Sequence, residues 1–138
     1  MMIIRPTASL AKRMKIKLMP TDQKSTTRLG DWYAVDFVLN RKQFILCVSS
    51  ESRLAVVMEA APYAMFPNRL CDAVTEVIRA IGLKETFIQE ERCQMDEYVL
   101  AKTQNKSILG SMNDYRVQLE ALDHTDRLSY NDTLYSLS

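Results

Sequence analysis

Residues 102–114, KTQNKSILGSMND, crowd amide, hydroxyl and ammonium groups around a glycine where the spacing predicts a helix start. The N-terminus of a helix carries unpaired backbone amides, and its peptide dipoles favour an anion there. With Lys102 and Lys106 in the approach, such a start can hold a phosphate or a carboxylate. Ser107 stands directly before Ile108, Leu109, Met112, Arg116, Leu119 and Leu122, whose spacing of one, three and four is that of an amphipathic helix. Ser107 is therefore the expected N-cap. Ser111 and Asp114 follow it at helical spacing, and Asn113 lies beside them. Gly110 falls in the first turn, where it costs about 1 kcal/mol relative to Ala, so a close approach of backbone or ligand is expected there. The same residues have a second reading. Thr103, Asn105 and Ser107 can satisfy loop and cap backbone groups, with Gly110 letting the helix pack tightly on a strand. The segment lacks the glycine-rich phosphate cradle of a nucleotide fold.

The elements that position this segment are legible from apolar periodicity. Tyr33, Val35, Phe37 and Leu39 alternate with Trp32, Ala34, Asp36 and Val38, which predicts a strand with one well-buried side. Asn40, Arg41 and Lys42 form a polar break before the apolar run 44–48, and residues 49–52 form another before 54–58. Breaks this short predict a three-strand antiparallel meander. Ile3 and Ile4 predict an N-terminal strand, and residues 98–101 a late one. Pro67 suits a first helical position, ahead of a stripe of Leu70, Cys71, Val74, Val77 and Ile78 ended by Gly82. A further helix is expected over residues 84–95, with Phe87, Ile88 and Met95 inward and Glu90, Glu91 and Arg92 mostly outward. Strands first and helices largely after predict an α+β domain, with helices packed mainly on one face of an antiparallel or mixed sheet. One domain is expected over residues 1–125, with a tail at 126–138.

Two of these segments carry a resemblance. DWYAVDFVLNRKQFILCV, residues 31–48, and KTQNKSILGSMND are similar to an uncharacterised family of small bacterial proteins. Its members pair a tryptophan-containing strand, an Asn-Arg-Arg-Lys type turn and an apolar strand with a later Lys-Thr-x-Asn-Arg-Ser-Val-Leu-Gly-Ser-Met-Asn-Asp block. The likeness spans roughly residues 1–122 and departs at Lys106, where an arginine is usual. It implies a fold unit and a candidate surface at Asn40, Arg41, Lys42 and residues 102–114, and no activity.

Charge is unevenly spread. Residues 1–30 hold seven cationic side chains against Asp22 alone, a balance of +6, so the rest of this chain of net charge +1 carries −5. Residues 8–18 place Ala11, Met14 and Leu18 on one helical face with Thr7 as a cap, and Lys12, Arg13, Lys15 and Lys17 around them. A basic amphipathic helix can lie on nucleic-acid phosphates, an anionic partner or a membrane surface. It can equally be a short helix covering the sheet, its lysines solvated or facing acidic groups of the same molecule. No aromatic residues interleave these charges, as stacking on bases would require.

Catalytic sets find little purchase. His124, the only histidine, lies near the expected end of the last helix, where the dipole favours a cation, and no motif places it in a triad. The pairs Asp31 with Asp36 and Glu90 with Glu91 lack metal-ligand spacing, and no metal or cofactor is implied. Cys47, Cys71 and Cys93 read as buried thiols of a reducing compartment. Eight methionines read as flexible core filler. No apolar run approaches a membrane span, and the N-terminus does not read as a secretory signal. With 138 residues, 47% of them hydrophobic and only three glycines, the chain leaves room for one core and no repeat array. Leu128, Tyr130, Leu134, Tyr135 and Leu137 make the tail a candidate for docking on its own domain or for homodimer contact. The expectation is a non-enzymatic binding module of a bacterial cytosol that meets a protein partner or an anionic ligand at residues 102–114 and 40–42. A nucleic-acid-binding regulator is the runner-up, and an enzyme acting on a phosphorylated or nucleotide substrate ranks third.

Overall fold

The alternation that predicts a strand at residue 32 builds β2 (Trp32–Leu39) in the computed structural model, which describes residues 1–121. β3 (Lys42–Ser49) and β4 (Ala55–Glu59) complete the expected antiparallel meander, with Trp32 opposite Ser49 and Val48 opposite Ala55. Asn40 and Arg41 form the first hairpin at φ 51° and 64°. Two successive residues at positive φ are what a tight turn between right-twisted strands requires.

β1 (Met2–Pro6) runs parallel to β2 on one side and to the short β5 (Tyr98–Leu100) on the other, giving a mixed sheet in the order β4-β3-β2-β1-β5. All five residues of β1 are buried, as a parallel strand between two neighbours and two covered faces should be. Three helices, α1 (Ala8–Met14), α2 (Phe66–Ala80) and α3 (Glu85–Met95), pack on one face around Met2, Ile4, Ile45 and Cys47. α4 (Lys106–Ala121) covers the other, seating Ile108, Met112 and Leu119 on Tyr33, Phe37 and Leu46. The fold is α+β, with most helices on one face.

α4 changes one expectation. Trp32 and Ala34 belong to one core and Tyr33 and Phe37 to the other, so the first half of β2 is buried on both sides rather than one. α1 is also shorter than its periodicity suggests. Lys15 turns left-handed at φ 58°, and the backbone N–H of Ile16 reaches back to the Ala11 carbonyl, which stops the helix a turn before Leu18. Glu91 points inward, not outward. It is 2% exposed, and its two carboxylate oxygens accept the backbone N–H groups of Arg28 and Leu29 at 2.8 and 2.9 Å. Apolar periodicity cannot reveal that a neighbouring loop needs an acceptor for buried donors. Met2, Met58, Met95 and Met112 do fill the core, whereas Met19 and Met65 are exposed. His124 and the tail at 126–138 lie outside the described residues.

Candidate functional site

The polar block at the start of α4 spends most of its groups on the fold. Asn105, not Ser107, is the N-cap, its side-chain oxygen accepting the backbone N–H groups of Ser107 and Ile108 at 2.9 and 3.3 Å. The backbone N–H of Asn105 itself donates to the Tyr33 hydroxyl. Ser107, already inside the helix, accepts with Ser111 from the two guanidinium nitrogens of Arg53 at 3.3 and 3.1 Å. Arg53 stands in the β3–β4 turn at φ 60°, so this fork ties a left-handed turn residue to the first turns of α4. Asn113 accepts from Arg116 at 2.6 Å, and the Gln104 amide donates to the Thr21 carbonyl. The side chains of Lys106 and Asp114 are exposed and make no bond among the described residues. Gly110 is exposed too, and a Cβ there would meet nothing within 4 Å. The expected close approach at Gly110 is therefore absent among the described residues.

The other half of the expected surface lies elsewhere. Tyr33, which meets the start of α4, is seven strand residues from Asn40, about 23 Å at 3.3 Å per residue. Lys42 is 3.9 Å from Glu59 across the β3–β4 pair. Asn40, Arg41 and Lys42 thus cap one end of the sheet while the cap of α4 sits towards the other.

Lys102 belongs to a different neighbourhood, fixed by Arg5. Arg5 is 2% exposed on β1, with Nε donating to Asp31 at 2.7 Å and Nη1 to the Lys102 carbonyl. Asp31 also accepts from the Ser25 hydroxyl at 2.6 Å, and its own N–H donates to Ser50. An open cavity of about 600 Å³ lies over this joint. Arg5, Lys24 and Arg28 line it together with Asp22, Asp31 and Glu51, so its charges balance. Arg5 is buried while Asp31 is partly exposed, so removing Asp31 costs less than the about 3–5 kcal/mol of a fully buried pair. The joint reads as a structural knot, which sequence reasoning missed because Arg5 looked like one more member of a basic segment.

What the knot positions is more distinctive. The Lys102 carbonyl is held by Arg5 and its N–H donates to the Met19 carbonyl at 3.2 Å, next to a parallel bridge between Met19 and Ala101. That bridge sets Met19, at the end of the segment that leaves α1, beside Ala101 and Lys102. Between this ribbon and α1 is a cleft of about 510 Å³. Its floor and walls are Pro6, Ala8, Ala11, Ile16 and Leu18, with Lys12, Lys17, Lys102 and Thr103 completing the lining. No carboxylate of the described residues lines it. α1 is held in place by the Thr7 cap, whose hydroxyl accepts the Leu10 N–H, and by Leu10 and Ala11 buried beneath.

The basic segment divides by residue type. Arg5 pairs with Asp31, Arg13 with Asp36 at 2.7 Å and Arg28 with Glu90 at 3.3 Å, so the arginines meet carboxylates of the later chain. Asp31 and Asp36, which had no evident partner in the sequence, are thereby explained. Lys12, Lys15, Lys17 and Lys24 are exposed and unpaired among the described residues. Of the four nucleic-acid candidates, Arg13 is therefore committed internally, Lys15 ends α1, and Lys12 and Lys17 share the cleft with Lys102. Two segments nearly ninety residues apart thus contribute to one site.

No group of three or more His, Cys, Asp or Glu able to hold a metal ion occurs among the described residues. Cys47 and Cys71 are buried as expected, and burial raises both thiols, for Cys71 against a lowering by Arg92. Cys93 departs from expectation and is exposed, since it falls on the outer face of α3. No helix among the described residues is long and apolar enough to cross a membrane.

The chain belongs to the DUF6933 family, a domain of unknown function, which it matches over residues 3–138. An uncharacterised family is what the resemblance of residues 31–48 and 102–114 implies. No curated protein and no solved structure matches the chain.

Proposed function

We propose that this protein is a non-enzymatic binding module of the bacterial cytosol that takes an anionic group at the cleft between α1 and residues 102–103. The observation that carries the reading is the convergence of Lys12, Lys17 and Lys102 on one concavity that, among the described residues, no carboxylate lines. Bringing three ammonium groups together costs self-repulsion, which an anion in the cleft relieves. Each exposed pairing contributes about 0.5 kcal/mol, so three amount to about 1.5 kcal/mol, or roughly tenfold in Kd. The site expected at the helix start retains Lys102 but loses Asn105, Ser107, Ser111 and Asn113, whose side chains are engaged in holding α4. A nucleic-acid-binding regulator remains the second reading, favoured by the unpaired lysines Lys12, Lys15, Lys17 and Lys24 in one stretch of chain.

A charge-matched pair of variants tests the proposal. Lys12→Gln/Lys17→Gln/Lys102→Gln empties the cleft of cations, while Lys15→Gln/Lys24→Gln/Lys84→Gln removes as much charge elsewhere. Binding of inorganic phosphate, followed by amide shifts, should fall roughly tenfold in the first variant and little in the second. Equal loss in both means that no localised site exists. If phosphate binds neither protein, and a single-stranded oligonucleotide binds with steep salt dependence that Lys15 shares, the nucleic-acid reading replaces this one.

A further inference from the structure

The lysines occupy only part of the cleft, and the remainder says what else the ligand must carry. Pro6 and Ala11 are buried in the floor, and Ile16 and Leu18 are half-buried where the chain leaves α1. These last two are branched apolar side chains with solvent on one side, in a concavity of about 510 Å³, within the roughly 300–1,000 Å³ that small-molecule sites span. A bare inorganic anion would use the ammonium groups and leave that surface wet. Among the described residues of the lining, a nucleic-acid strand would find no aromatic ring to stack on and no arginine to fork its phosphates. Lysines suit the edge of such a site, because their methylene stems can lie along apolar surface while the ammonium stays in water.

We infer that the cleft takes a small amphipathic anion, one molecule with an apolar body and a single acidic head group. The body covers Pro6, Ala8, Ala11, Ile16 and Leu18, and the head group meets Lys12, Lys17 and Lys102. This inference rests on the anion-binding reading above and adds the apolar half of the ligand. The backbone bonds that fix Lys102, from Arg5 to its carbonyl and from its N–H to Met19, hold the far wall in place.

The test uses the full chain and four probes at concentrations where each is monomeric: octanoate, acetate, inorganic phosphate and octyltrimethylammonium. Amide shifts of Ala8, Ala11, Ile16, Leu18 and Thr103 report the cleft. Each methylene that leaves water strengthens binding about fourfold. With about half of the six extra methylenes covered in an open cleft, octanoate should bind roughly 60-fold more tightly than acetate. The cleft variant Lys12→Gln/Lys17→Gln/Lys102→Gln should weaken octanoate binding roughly tenfold while leaving the fold's amide spectrum elsewhere unchanged. Acetate and phosphate binding as tightly as octanoate would overturn the inference and leave the anion reading standing. Octyltrimethylammonium binding as well as octanoate, or no probe moving these residues, would overturn both. Response to vesicles containing phosphatidylglycerol, without response to monomeric octanoate, would likewise sink it in favour of a membrane surface.

Discussion

Gly30 is the one residue in the Arg5–Asp31 knot that cannot carry a side chain, and Gly30→Ala measures how rigid that knot is. Its φ is +81°, and a Cβ there would lie 2.3 Å from the Ser50 hydroxyl oxygen and 2.6 Å from Cγ of Glu51. The Glu51 side chain is exposed and can swing away. Ser50 has less freedom, because its hydroxyl accepts the Asp31 N–H at 2.8 Å. Left-handed backbone costs an alanine about 1–2 kcal/mol. Giving up the Ser50 bond adds about 1 kcal/mol, for a total of about 2–3 kcal/mol. Gly110→Ala is the control, since its Cβ meets nothing within 4 Å in a helix, where alanine gains about 1 kcal/mol. The same chemical change should thus move stability in opposite directions at the two sites. Urea unfolding followed by the fluorescence of Trp32, the only tryptophan and fully buried, reads both midpoints. At a slope of about 1.5 kcal/mol per molar, Gly30→Ala should lower the midpoint by roughly 1.3–2 M. A shift under about 0.3 M, with the slope unchanged, would mean that the knot yields freely and does not hold Lys102 in place.

Three further outcomes follow from particular contacts. Asn105→Ala should destabilise by about 1 kcal/mol as a lost N-cap and Ser107→Ala by less, since Ser107 loses one long bond to an exposed arginine nitrogen; the reverse order in urea would restore Ser107 as the cap. A thiol reagent should modify Cys93 first, with Cys47 and Cys71 reacting only on unfolding, because those two are buried and their thiols are raised by burial; prompt labelling of Cys47 in the folded protein would refute its placement. Glu85 is held below its ordinary 4.5 by hydrogen bonds from Arg79 and Gln89, so its small stabilising effect is present above that pH and is lost as pH falls through the lower folded value; Arg79→Gln should return the carboxyl's NMR titration towards 4.5, and an unchanged midpoint would deny the pairing.

The parts of the fold visible in the sequence were those set by local pattern. Alternation over residues 32–39 and two short polar breaks are enough for the meander, and Pro67 with its apolar stripe is enough for α2. The parallel placement of β1 between β2 and β5 was not legible, because Ile3 and Ile4 say that a strand exists and nothing of its neighbours. Arg5 shows the same gap, since a guanidinium in a strand is read as exposed until an aspartate 26 positions later arrives to pair with it. At the start of α4 the residue types mark a cap, and the structure differs from the sequence in which residue supplies it. Asn105 and Ser107 both suit a cap, and the choice between them depends on where the Tyr33 hydroxyl and the Arg53 guanidinium sit. The three-lysine cleft was split between two separate expectations, Lys12 and Lys17 in one and Lys102 in the other. The bridge between Met19 and Ala101 and the bonds around Lys102 bring them together.

The most direct test watches the lysine side chains themselves during a titration with octanoate. Selective observation of the ammonium or adjacent methylene resonances compares Lys12, Lys17 and Lys102 with Lys15, Lys24 and Lys84 in the same molecule, so net charge and ionic strength cancel. The account predicts that the first three shift together along one saturating curve while the other three stay nearly still. A uniform, non-saturating drift of all six would contradict it.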